Sequence, residues 1–141
     1  MRYRGGRAGT LAALLLICGP LLFSVGCESG TEGADSYWVT YVALTEVPGQ
    51  GSAVINRVFY DDETGTQEIE LDPAEEEWSE SVLLAPGDTF YFRGEGTFTS
   101  GRMTLQIQIQ GDDGSTLART ADGMPISDGE LFVEIPREAL P

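Results

Sequence analysis

From Tyr37 to Ile135 apolar residues recur at alternate positions, the period of a strand that turns one face to a core. The pattern is clearest from Met103 to Gln110: Met103, Leu105, Ile107 and Ile109 share one side, and Thr104, Gln106, Gln108 and Gln110 share the other. Thr66 to Leu71 is nearly as regular, with Ile69 and Leu71 inward and Glu68 and Glu70 outward, and Trp78 to Leu84 keeps Trp78, Val82 and Leu84 in register. Two segments are less decided. Tyr37 to Leu44 is apolar on both sides, Trp38, Thr40, Val42 and Leu44 alternating with Tyr37, Val39, Tyr41 and Ala43, and Ser52 to Tyr60 sets Val54, Val58 and Tyr60 against Ile55, Arg57 and Phe59. Shorter strands are predicted at Thr89 to Phe92 with Thr97-Phe98, at Ser115 to Thr120 and at Glu130 to Ile135.

Turn chemistry separates these runs. Val47-Pro48-Gly49-Gln50-Gly51, Asp61-Asp62-Glu63-Thr64-Gly65, Ala85-Pro86-Gly87-Asp88 and Gly111-Asp112-Asp113-Gly114 each place glycine where a reversal needs a positive φ. Gly94-Glu95-Gly96 predicts a bulge or bend inside a strand. Asp72-Pro73-Ala74-Glu75-Glu76-Glu77 predicts a break with at most one helical turn, because proline cannot donate to a central ladder, and its glutamates read as a solvated loop. No window of about twelve residues carries a helical stripe. Seven to eight short strands with turn signals every ~8–12 residues predict an all-β, antiparallel β-sandwich.

The N-terminal segment has a different pattern. Arg2, Arg4 and Arg7 precede an apolar run from Leu11 to Val25 that ends at Gly26-Cys27. A charged start, a short apolar segment and a small residue before the cut mark an export signal, and the run falls short of the ~20 residues of a spanning helix. Phe23-Ser24-Val25-Gly26-Cys27 resembles the bacterial lipobox, which implies cleavage between Gly26 and Cys27 and diacylation of Cys27. Ser24 stands where the lipobox usually has Leu, Val or Ile. Ordinary cleavage near Gly26 and an uncleaved anchor are the alternatives. Cys18 fits less well, since Ile17 precedes it and apolar sequence continues beyond it. The expected organisation is a lipoprotein signal peptide at 1–26, a lipidated cysteine and flexible tether at 27–36, and a β-sandwich domain at 37–141. A lipid anchor of this kind would hold the domain on a membrane surface, outside the cytoplasm, without spanning the bilayer.

Charge narrows the function classes. All 23 acidic residues lie at or after Glu28, and only five of the eight arginines do, so the segment after the signal carries a formal charge of −18. A field of that sign disfavours nucleic acid and anionic lipid, so no nucleic-acid partner is expected and membrane attachment must come from the lipid. It would also suit a high-salt environment, where self-repulsion is screened over a shorter distance. There is no Lys and no His. Triads, Schiff bases and His-ligated zinc are therefore excluded. Paired carboxylates could support glycoside hydrolysis, but among 23 acids some pair always stands close, and no enzymatic activity and no cofactor are expected. The acidic turns at Asp61 to Gly65 and Asp112 to Ser115 offer oxygen ligands of the calcium type without the spacing of an EF-hand, and hairpin chemistry accounts for them. Trp38 and Trp78 could form a ligand platform, but both lie in strand register and are expected in the core.

The order of motifs carries one resemblance. Tyr41-Val42, Ala53-Val54-Ile55, Phe59-Tyr60-Asp61, Gly65, Glu68, Trp78, Pro86-Gly87, the Gly94 to Gly96 segment and Ile107 to Gly114 together resemble the MmpS family of small mycobacterial membrane proteins, over roughly Tyr41 to Gly123. The resemblance implies an immunoglobulin-like β-sandwich, held outside the cytoplasm by an N-terminal anchor, that assists a large lipid or siderophore exporter of the MmpL type. It implies no site residues. The expected role is a noncatalytic interaction module with an envelope or exporter protein as partner. The alternative is a ligand-binding sandwich for glycan, peptide or calcium.

Overall fold

The computed structural model describes residues 33–124 and 129–141. Gly26 and Cys27, and with them the signal and lipid attachment, lie outside the described residues. Eight strands follow in order: β1 (Tyr37–Glu46), β2 (Ala53–Asp62), β3 (Gly65–Glu75), β4 (Glu77–Leu84), β5 (Thr89–Phe98), β6 (Arg102–Gly111), β7 (Thr116–Gly123) and β8 (Gly129–Ala139). They form two antiparallel four-stranded sheets, β4-β1-β6-β7 and β3-β2-β5-β8, hereafter the β1 sheet and the β2 sheet. The fold is an all-β sandwich. Only β2–β3 and β6–β7 are hairpins within a sheet; every other connection crosses from one sheet to the other. Neither sheet can therefore be completed without the other.

The inner faces supply the core. Met103, Leu105, Ile107 and Ile109 of β6 are all buried, as their alternation predicts. The ambiguity in β1 resolves towards Tyr37, Val39, Tyr41 and Ala43, so Trp38 and its parity face outward. Trp38 is 56% exposed, which corrects the expectation of a core aromatic; Trp78 does pack on the core, its ring centroid 5.3 Å from that of Tyr60 and 5.8 Å from that of Phe92.

The expected parity of β2 is also corrected, and two expected interruptions take a particular form. In β2 the buried set is Ala53, Ile55, Val58 and Tyr60, because a bulge between Ile55 and Arg57 shifts the phase by one residue and turns Val54 away from Val58. The irregularity expected at Gly94-Glu95-Gly96 is present in the β2–β5 ladder, where Gly96 and Glu95 oppose Ile55 and Arg57 and the extra residue, Asn56, is on β2. Gly94 and Gly96 occupy inward positions between Phe92 and Phe98, where a Cβ on Gly94 would stand 2.6 Å from Met103 Sδ and one on Gly96 would collide with the Val54 carbonyl. The glycines make room for β6 and β2. At Pro73 no helical turn forms and β3 runs on to Glu75, but its pairing with β2 lapses between Glu70 and Glu75, so the proline sits in an unpaired stretch of an edge strand where its missing donor costs no ladder bond. Glu75, Glu76 and Glu77 are exposed at the strand ends where the chain crosses between sheets.

The packed structure starts before β1. Ala34 is buried, the Asp35 amide donates to Asp112 Oδ1 (2.9 Å), the Ser36 hydroxyl donates to Asp112 Oδ2 (3.3 Å), and the Asp112 amide donates to the Ser36 carbonyl (3.1 Å). Asp112 thus fixes the chain as it enters the sandwich.

Candidate functional site

The two outer faces of the sandwich differ in charge. On the β2 sheet, Arg57 of β2 lies 3.2 Å from Glu68 and 2.7 Å from Glu70 on β3 and 3.9 Å from Glu95 on β5. Arg93 of β5 pairs with Glu95 at 2.6 Å and places its guanidinium 4.4 Å from the ring centroid of Phe132 and 5.7 Å from that of Phe59. Arg57, Glu70, Arg93, Glu95 and Phe132, with Asn56, Asp72, Thr97, Glu130 and Leu131, line an open groove of about 820 Å³. The groove's two arginines are already engaged by its own glutamates. An anionic ligand would have to displace them against the domain's net charge.

At one end of the same face sits Asp61, which the sequence places in a hairpin turn of calcium-like composition. It closes β2 and is 2% exposed. Its carboxylate accepts hydrogen bonds from the Thr66 hydroxyl of β3 (2.6 Å), the Thr89 hydroxyl of β5 (2.8 Å), and Nε and Nη2 of Arg137 on β8 (3.0 Å each). One side chain thereby ties all four strands of the sheet. The β5–β8 register shifts between Phe90 and Phe92, setting Pro136 and Arg137 opposite Tyr91 alone; this bulge aims Arg137 across Tyr91, 5.0 Å from its ring centroid, towards Asp61. Burial alone would raise the Asp61 pKa, but the hydrogen bonds from Arg137, Thr66 and Thr89 and the positive charge of Arg137 outweigh it and hold the carboxyl below its ordinary value. The Tyr41 hydroxyl donates to the Asp61 carbonyl at 2.8 Å, and burial, with the nearby Asp61 charge, pushes that phenol well above its usual range. With every oxygen of its carboxylate occupied, Asp61 is a structural clamp.

The acidic turns are likewise self-satisfied. Asp62 Oδ1 accepts from the Thr64 amide and hydroxyl (2.7 Å each), and Asp113 Oδ1 accepts from the Ser115 amide (2.8 Å). These bonds close the turns themselves, and both carboxyls are lowered in pKa chiefly by the Thr64 and Ser115 hydrogen bonds. Among the described residues no three acidic side chains converge in a way that could hold a metal ion.

The outer face of the β1 sheet is the opposite case. Cross-strand pairing lays it out in rows: Leu83-Trp38-Gln110-Thr116, then Ser81-Thr40-Gln108-Ala118, then Ser79-Val42-Gln106-Thr120. None of these twelve residues is charged. Charge returns only in the next row, where Glu77, Leu44, Thr104 and Asp122 are aligned and Thr104 donates to Asp122 at 2.6 Å, and beyond it in the Arg102–Glu46 pair at 2.7 Å. Trp38 and Leu83, directly opposite one another, are 56% and 47% exposed. Thr40 and Ser81 share a hydrogen bond at 2.9 Å; among the described residues the side chains of Gln106, Gln108 and Gln110 make none. On a domain this acidic, a charge-free patch about 14 Å across four strands and about 13 Å along them is the surface best suited to close contact.

Sequence reasoning set Gln106, Gln108 and Gln110 on the side of β6 away from the core and weighed Trp38 as a ligand platform, but it assigned this face no site. The signal available was Thr40, which shares parity with Trp38 and marks that side of β1 as the wetter one.

Compared with family models, curated proteins and solved structures, the chain finds no significant match.

Proposed function

We propose that the chain is an extracytoplasmic lipoprotein whose sandwich is a noncatalytic interaction module, attached to a membrane through Cys27 and contacting its partner with the outer face of the β1 sheet. The observation that carries the contact surface is the charge-free face with Trp38 and Leu83 exposed at its start. Close contact removes water from both partners, and a charge removed from water without a partner is costly, so a surface free of charge is the one that can be covered with least opposition. Support for the anchor is the lipobox-like run ending at Cys27, and support for an exporter partner of the MmpL type is the MmpS-like order of motifs.

Two measurements test this reading. Cys27→Ser should abolish lipid labelling in cells and release the protein from the membrane fraction; labelling that continues in the variant refutes the anchor. Photocrosslinkers placed at Val42 and Gln108 should capture an envelope component, whereas one at Glu70 on the opposite sheet should not. Equal capture at all three positions, or none at any together with no retention by an envelope polymer, removes the β1-sheet face from consideration. A second reading is favoured by the exposure of Trp38, whose ring is available for stacking: a ligand-binding domain for glycan or peptide.

A further inference from the structure

We infer that the outer face of the β1 sheet binds an uncharged polysaccharide, with Trp38 stacking on a sugar ring and the amides and hydroxyls of the adjoining rows meeting the sugar hydroxyls. This rests on the same face being the contact surface of the module and names the chemistry of what covers it.

The residue types on the face decide between occupants. Eight of the twelve positions, Ser79, Ser81, Thr40, Thr116, Thr120, Gln106, Gln108 and Gln110, carry a hydroxyl or a primary amide. Each such group both donates and accepts hydrogen bonds. That is the repertoire of a sugar hydroxyl, and it differs from what covers a hydrophobic partner. Large exposed apolar side chains on this face are confined to Trp38 and Leu83 at one corner. A protein interface of standard size draws on a central apolar and aromatic cluster, which a pair at the corner does not supply.

A second copy of this chain is disfavoured further by charge. Two bodies of formal charge −18 repel, and the face offers no basic groups to offset that. An anionic polysaccharide meets the same repulsion. A neutral glycan meets none, and it loses no charge–water contacts on binding. Shape agrees with this: the face is an open platform and not the enclosed cleft typical of a site for a single small molecule, so an extended polymer can lie across several rows. Gln106, Gln108 and Gln110 stand at alternate positions of β6, about 6.7 Å apart along the strand, giving a line of amides parallel to the run of hydroxyls on β4 and β1.

The full mature chain tests the inference in affinity electrophoresis and pull-down against insoluble cellulose and chitin and soluble mannan, xylan and β-glucan, with alginate as the anionic control. Retention by at least one neutral polymer and not by alginate is expected. Trp38→Ala should weaken that retention by about tenfold or more, and Gln108→Glu, which keeps the side chain's size and adds a charge, by about tenfold as well. Both positions are exposed or at the solvent face, and unchanged melting temperatures show that the variants remain folded. No retention on any neutral polymer, retention on alginate alone, or retention unaffected by both substitutions overturns the inference. Capture of a protein by the crosslinkers at Val42 and Gln108, or a dimer that Trp38→Ala dissociates, also overturns it while leaving the β1-sheet face as the contact surface. Absence of capture and of glycan retention together removes the contact surface as well.

Discussion

Replacing Asp61 by Asn keeps the shape of the side chain and removes only its charge. In the native protein that carboxylate is 2% exposed and receives two hydrogen bonds from Arg137 and one each from Thr66 and Thr89. Hydrogen bonds to a charged group contribute about 1.5–3 kcal/mol where neutral ones contribute about half that. Asn offers one acceptor oxygen in place of two, and its amide group faces either the arginine or a threonine hydroxyl. The threonines can rotate to accept from the amide, while Arg137 is half exposed and recovers water, so the net loss is placed at about 1.5–3 kcal/mol near neutral pH. For a domain of about 105 residues this corresponds to a fall in Tm of about 7–14 °C. The pH dependence carries the sharper test. Asp61 is held below its ordinary pKa in the folded protein, so its stabilisation is fully present above the unfolded-state value of about 3.9 and is lost as pH falls through the lower folded-state value. The difference in urea stability between native protein and D61N should therefore be constant from pH 7 to about pH 5 and shrink below about pH 4. Taking the difference removes the general effect of protonating the other acids. A variant within about 0.5 kcal/mol of native at pH 7, or a difference that does not shrink in acid, would refute the clamp.

Three further outcomes follow from the packing. Gly94→Ala brings a Cβ against the flexible end of Met103 and should cost about 1–3 kcal/mol, an increment that should shrink when measured in a Met103→Ala background, whereas Gly96→Ala meets the Val54 backbone carbonyl and should cost more, with the increment largely kept in that background; equal costs in urea melts would contradict the assigned contacts. Tyr41→Phe removes the bond to the Asp61 carbonyl and should lower stability by about 1 kcal/mol, read by thermal melts, and a neutral effect would show that the bond contributes nothing. Fluorescence quenching by acrylamide should be strong for the single-tryptophan variant retaining Trp38 and weak for the one retaining Trp78; comparable quenching would place Trp38 in the core after all.

What the sequence reveals depends on whether the two parities of a strand differ. In β6 they differ completely, Met103 to Ile109 against Thr104 to Gln110, and the buried face is legible directly. In β1 they do not, and the choice falls to the partners: β6 presents Gln110, Gln108 and Gln106 opposite Trp38, Thr40 and Val42, and β4 presents Ser81 and Ser79 opposite the last two, so the tyrosine-bearing parity goes inward. A bulge breaks the inference more sharply, since one extra residue near Asn56 reverses the parity of everything after it, and period-two counting has no signal for that. Asp61 is hidden for a different reason. Its neighbours Asp62 to Gly65 make a turn, and its real partners Thr89 and Arg137 lie 28 and 76 residues away. The fold class was readable because it depends on many alternations at once. The uncharged face was not, because it exists only when four separated strands are set side by side.

That face and the charge elsewhere should respond to salt differently. Among the described residues the acids lie off the three uncharged rows, on the β2 sheet, at strand ends and edges and in the loops. Their mutual repulsion acts on the folded domain as a whole, and it is screened as the Debye length contracts from about 10 Å at 0.1 M salt to about 3 Å at 1 M. Thermal stability should therefore rise with sodium chloride over this range. Contact through uncharged rows with an uncharged ligand releases no counterions and aligns no charges, so its affinity should stay level over the same range. The two measurements made on one preparation separate the surfaces: a Tm that climbs while glycan retention holds steady places binding on the β1 sheet. Retention that weakens steadily with salt would mean that charged groups carry the contact, and the arginine-lined groove of the β2 sheet would then be the surface to consider in its place.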